Sequence, residues 1–189
     1  MEDPKMMEKW REFQHAAVLR LHTEALRHTE STCVFQFCRT PTLDACVYWS
    51  MFKDHRKAPG EFGRCFAVKG KWDKRADLER WHELWHYRPQ DLQSMQPAVE
   101  HEVARLKLEA MEAFLAEINV LRIPPFCTDG PFGLDGIAYA FSMKSGFTTV
   151  DFAWWEQGPA EWRPMIDCVQ TFAARLESQP RTQLTVAHE

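Results

Sequence analysis

Leu134-Asp135-Gly136-Ile137-Ala138-Tyr139, continued by Phe152-Ala153-Trp154-Trp155 and Gly158-Pro159, is the stretch whose reading decides the fold of this 189-residue chain. Ile137, Tyr139 and Phe141 alternate with Ala138, Ala140 and Ser142, and Val150, Phe152 and Trp154 alternate with Thr149, Asp151 and Ala153. A period of two built on aromatic and β-branched residues marks a half-buried strand. Lys144-Ser145-Gly146 supplies the turn between the two runs. The next segment places Trp162, Met165, Ile166, Val169, Phe172, Ala173 and Leu176 on one face of a helix. Two strands followed by an amphipathic helix form a sheet with a covered face, which is a packing unit and carries no reaction chemistry.

Working upstream, Met6, Trp10, Phe13, Ala17, Leu21 and Ala25 recur at steps of three or four and predict a helix from Pro4 to about His28. Ser31 to Cys38 and Ala45 to Phe52 are short runs of Val, Phe, Tyr, Trp and Cys separated by the turn-like Thr40 to Asp44, and they predict an antiparallel pair. Gly63 to Trp72 extends the pair to a meander. Asp73 to Tyr87 reads as a short helix that stops at Arg88-Pro89, because proline disfavours helix in the residue before it. Pro97 is expected to open a longer helix carrying Val103, Leu106, Ala110, Met111, Phe114, Leu115 and Ile118. Arg122 to Cys127 is extended because it contains consecutive prolines, Asp129 to Gly133 is turn chemistry, and residues from Ser178 to 189 read as a polar, poorly ordered tail. The expectation is an α+β fold. It is a single domain spanning 1–189, with an antiparallel sheet of about five strands and the Pro97 and C-terminal helices packed on one face.

Composition narrows the functional classes. With 45% hydrophobic and 26% charged residues the chain is ordinary for a globular protein. A net charge of -4, a pI near 6.1 and the lack of any Lys/Arg run argue against nucleic-acid binding, which needs a basic footprint. The start of the chain has no basic segment followed by an apolar run, and no apolar stretch is long enough for a bilayer, so a cytoplasmic, non-membrane protein is expected. Six cysteines without a secretory signal are expected to stay reduced. Cys33 and Cys38, an odd number of residues apart in a strand, are expected on opposite faces.

His82-Glu83-Leu84-Trp85-His86 matches H-E-x-x-H, in which two histidines one helical turn apart bind zinc and the glutamate activates a water. A catalytic zinc needs a third protein ligand. Pro89 and Leu92 stand where the metzincin extension requires Gly and His, which excludes that version. Glu102 and Glu109, with His101 beside them, are the acidic candidates for an alternative zinc peptidase in which Glu83 is the catalytic base. The competing interpretation is a solvated helix face whose Trp81, Leu84 and Trp85 pack inward. The spacing of His22, His28, Cys33 and Cys38 fits no structural zinc signature, and no phosphate loop, dinucleotide fingerprint or nucleophile elbow occurs. Asp135 beside Gly136, and the aromatic group Trp154, Trp155 and Trp162, are the candidate recognition residues; in a strand Trp154 and Trp155 face opposite ways.

Trp72-Asp73 with Asp77, then Pro97, then Asp135-Gly136-Ile137-Ala138-Tyr139, then Trp154-Trp155 with Gly158-Pro159, Trp162 and Pro164, resembles uncharacterised bacterial α+β proteins. Some of these are similar to immunity proteins of polymorphic toxin systems. The resemblance covers about residues 62 to 176. It implies a small cytoplasmic domain that binds a partner protein, needs no cofactor and has no catalytic set, with Asp135, Tyr139, Trp154, Trp155 and Trp162 as the matching positions.

Overall fold

The computed structural model describes residues 4–27, 31–42, 44–54, 65–127 and 135–183. Among them a seven-stranded antiparallel sheet runs in the order β6-β5-β1-β2-β3-β4-β7. Its strands are β1 (Thr32–Pro41), β2 (Cys46–Lys53), β3 (Cys65–Trp72), β4 (Val99–Arg105), β5 (Ile137–Ser145), β6 (Thr148–Trp155) and β7 (Arg181–Gln183). The helices are α1 (Pro4–Arg27), α2 (Lys74–Tyr87), α3 (Leu108–Asn119) and α4 (Arg163–Glu177), with 3-10 turns at Pro89–Ser94 and Ala160–Trp162. The class is α+β, and no described helix is long and apolar enough to cross a membrane.

The strand count is seven, not about five, and both additions lie at one edge. Residues 99–105, expected in the Pro97 helix, form β4 on the free side of β3, with Val99 opposite Trp72 and Val103 opposite Val68. Glu, Ala and Arg favour helix in isolation, but here the pairing with β3 outweighs propensity. Helix begins only at α3, after Lys107. Part of the expected polar tail is likewise ordered as β7, where Val103 pairs with Thr182. The expected turn at 129–133 lies outside the described residues.

Helices pack on both faces of the sheet, where one covered face was expected. Beneath α3 and α4, Phe35, Phe37, Trp49, Met51, Ala67, Ala104, Phe141 and Trp154 meet Met111, Phe114, Ile118, Met165, Ile166, Val169, Phe172 and Leu176 in one continuous core. Phe114 and Phe172 stack with centroids 4.0 Å apart, and Phe35 sets its ring edge-on to both at 5.0 and 5.7 Å. Each such ring contributes about 2–3 kcal/mol by leaving water. On the opposite face Met6, Trp10, Phe13, Ala17 and Leu21 of α1 pack with Cys46, Tyr48, Trp72, Trp81 and Leu92.

Asp77 ties this second layer to the sheet. It is buried, and its Oδ2 accepts from Trp72 Nε1 at 2.8 Å and from the Ala98 backbone N–H at 2.9 Å, while Oδ1 pairs with Arg80 at 3.0 Å. Asp73 caps α2 by accepting from the Ala76 N–H at 3.0 Å. Gly70 permits close approach: a Cβ there would stand 2.9 Å from Leu21 Cδ2 and 3.3 Å from His101 Nε2. The pattern Trp72-Asp73-x-x-x-Asp77 is therefore a joint between β3, α2 and the start of β4.

Cys33 and Cys38 share a face, contrary to the odd-spacing expectation. The β1–β2 register slips between Cys33 and Phe35, so Val34 is the extra residue of a bulge that reverses the alternation. Cys33 packs with Phe52 and Val68, and Cys38 with the α1 cluster, both on the α1 side. All six cysteines are free thiols.

Candidate functional site

Among the described residues, helices cover the two faces of the sheet unequally. The α3/α4 layer reaches from β4 to Trp154 of β6, whereas α1 lies over β2, β3 and β4. On the α1 side, β1, β5 and β6 present a lattice fixed by the strand registers. Thr40, Ala138 and Trp155 form one row, Cys38, Ala140 and Ala153 the next, and Gln36, Ser142 and Asp151 the third. Ala140, Ala153 and Asp151 are exposed, and the other six are half-buried. The floor is made of short side chains, and Trp155 stands at one corner. Such a surface admits a second backbone closely and offers hydroxyl, amide and carboxylate groups along its far row.

Trp155 is held in place. Its ring lies against Gly136, where a Cβ would come within 2.8 Å of Trp155 Cζ2 and collide with the Glu156 carboxylate. Glu156 Oε1 accepts from the Ile137 N–H at 2.6 Å. Thr42 Oγ1 accepts from the Gly136 N–H at 3.1 Å and donates to the Gly136 carbonyl at 3.0 Å. The Asp135-Gly136 pair thus leads into β5, and Asp135 is exposed.

The other candidate recognition residues are distributed differently. Trp154 is buried under α4, stacked on Tyr139 at 5.5 Å. Tyr139 is half-buried and also stacks on Phe37. Trp162 meets Phe152 edge-on at 5.1 Å and donates from Nε1 to the Pro124 carbonyl at 3.0 Å. These three belong to the α4 side, so of the five only Trp155 is placed on the open face by register. Of the eight tryptophans, Trp10, Trp49, Trp72, Trp81 and Trp154 are buried and the rest half-buried. The sequence signal for the lattice is the size of the outward residues: Ala138, Ala140 and Ala153 sit where strands facing water usually carry Thr, Lys or Glu.

His82 and His86 lie on α2 as the motif requires, with ring centroids 6.5 Å apart and planes 15° from parallel. Glu83 pairs with Arg88 at 3.2 Å. Neither acidic candidate joins them. Glu102 points to the α4 side of β4, where Arg181 binds it at 2.9 Å, and Glu109 starts α3 in that same layer, across the sheet from α2. His101 is buried beneath α1. Among the described residues no three His, Cys, Asp or Glu side chains form a metal-holding group.

One polar network was not foreseen. Glu177 at the end of α4 accepts from Lys69 at 2.7 Å, Arg181 at 3.1 Å and Trp49 Nε1 at 3.3 Å, while Lys69 also lies over the Trp49 ring at 5.5 Å. It fastens α4 and β7 to the sheet. Burial pushes the Cys46 and Cys168 thiols up to about 11 and raises those of the half-buried Cys33 and Cys38, which disfavours the thiolate in each. No protein family, curated protein or solved structure matches the chain.

Proposed function

We propose that the chain is a non-catalytic protein-binding domain of immunity type, acting in the cytoplasm, and that its partner polypeptide docks on the open face of β1, β5 and β6. The observation that carries this reading is the half-covered sheet: exposed Ala140 and Ala153 sit in a register-matched lattice between Trp155 and Asp151. A fixed aromatic beside a floor of short side chains suits recognition, because tryptophan anchors bury much area at low entropic cost. Asp135 and Trp155 are the residues assigned to the contact. Tyr139, Trp154 and Trp162 act by holding the sheet against α4.

A photo-crosslinking side chain placed at position 153, with the same group at exposed position 113 on α3 as control, tests this in cells of the source organism. The expected result is a discrete adduct from position 153 alone, lost when Ala140→Arg is added. An absence of adduct at 153, or an adduct indifferent to Ala140→Arg, overturns the reading.

A further inference from the structure

We infer that His82 and His86 form a two-histidine chelate for a late first-row divalent metal ion on the outer face of α2, a site independent of the partner-binding reading. Positions four apart share a helix face, and both imidazoles stand on the stripe that also carries Glu79 and Glu83. The inward side of the same helix is fixed by buried Asp77 and Trp81, so the outward pair is presented by a rigid element. Neither imidazole is hydrogen-bonded to another described residue, which leaves ring nitrogens of both available.

The geometry needs one adjustment. Metal–nitrogen bonds of about 2.0–2.1 Å, at angles of roughly 90–110°, bring two imidazole centroids to roughly 5 Å. The observed separation is 6.5 Å with nearly parallel planes. His86 is exposed and His82 half-buried, so rotation about their side-chain bonds closes the gap without moving the backbone. Glu79 and Glu83 add favourable negative charge, partly neutralised by Arg75 at 3.2 Å and Arg88 at 3.2 Å.

Two protein ligands leave the remaining coordination positions to water. The ion therefore clamps one turn of α2, and its ligand set differs from that of a catalytic zinc, which needs three protein ligands. Imidazole ligation selects Cu²⁺ over Ni²⁺ and Zn²⁺, and excludes Mg²⁺ and Ca²⁺, which take oxygen donors.

The test is calorimetric titration of chelator-stripped, tag-free protein with NiCl₂, ZnCl₂ and MgCl₂, repeated on His82→Ala, His86→Ala and, as control, His15→Ala. The expected result is one Ni²⁺ or Zn²⁺ per chain and none for Mg²⁺. Affinity falls at least about tenfold in either single variant, as loss of one of two ligands requires, and is unchanged in the control. At a metal concentration a hundredfold above Kd, the wild-type melting temperature rises by about 5–11 °C and that of His86→Ala does not. His22, His28, His55 and His188 lie outside the described side chains, so binding that survives in both α2 variants places the metal elsewhere and overturns the proposal. Absence of saturable binding overturns it as well. Copper(II) spectra that show thiolate ligation rather than two nitrogen ligands do the same. Should His82→Ala perturb helicity, His82→Gln paired with the exposed His86→Ala gives the same readout.

Discussion

On the α3/α4 side, every strand from β6 to β4 contributes to one core, with large side chains from β6, β5, β1 and β2 and the small Cys65, Ala67 and Ala104 from β3 and β4, whereas on the α1 side the aromatic cover ends at β2 and the lattice of Ala138, Ala140 and Ala153 begins. Both faces come from the same strands and the same alternation. On β1, β5 and β6 residue size separates them: Phe35, Phe37, Phe141 and Trp154 pack under α3 and α4, and the short Ala138, Ala140 and Ala153 on the other face leave the backbone approachable. On the proposed reading, the filled cores on both sides carry stability and the lattice of β1, β5 and β6 carries recognition.

The comparison breaks most severely in the filled core. Phe172→Ala removes the ring stacked on Phe114 and is expected to cost about 3–5 kcal/mol, read as a lowered urea midpoint at unchanged slope. Next is the joint on the α1 side. Asp77→Ala leaves Trp72 Nε1, the Ala98 N–H and Arg80 without their acceptor, and an expected loss of about 3 kcal/mol is measured the same way.

A smaller effect comes from pH. Burial raises the Cys46 thiol from 9.0 to about 11, so the folded state favours the protonated form. The stability this contributes is complete below pH 9 and is lost as pH rises through 11, because the unfolded chain ionises first. Alkaline denaturation curves of Cys46→Val are expected to lack about 2–3 kcal/mol of the decline that the native protein shows over that interval. The smallest change sharpens the comparison. Ala140→Arg or Ala153→Arg on the open face is expected to leave thermal stability within about 0.5 kcal/mol while abolishing partner crosslinking. A large destabilisation there means that the face is packed and recognition lies elsewhere.

Most of the fold is legible in the sequence, because α1, α4 and the β5–β6 hairpin each carry a period of their own and the β1–β3 meander is a series of β-forming apolar runs divided by turn residues. The misassigned segment is instructive. Val99 to Arg105 mixes helix-favouring Glu, Ala and Arg with a following apolar stripe, and only the exposed edge of β3, made of residues far from it in sequence, turns it into a strand. The same non-local cause hid β7, which needs β4 in place before it has anything to pair with. The bulge at Val34 reversed the facing of Cys33, and a single unpaired residue leaves no periodic signal. The candidate site was half visible. Trp155 and Asp135 stand out by composition, but the alanines around them gain meaning only when three strands are aligned. The reach of α1, which decides whether that lattice is open, is a tertiary fact with no local signature.

The position of β1 between the meander and the hairpin carries a cost during synthesis. Phe35 leaves the ribosome roughly a hundred residues before its partner Met143, which at about 5–20 residues per second is a delay on the order of ten seconds. Through that interval the edge of Cys33-Val34-Phe35-Gln36-Phe37-Cys38, an uncharged and strongly β-forming segment, has no hairpin to pair with. The nascent chain is therefore prone to aggregation from the emergence of β1 until that of β5, and chaperone demand is expected to be highest in that window.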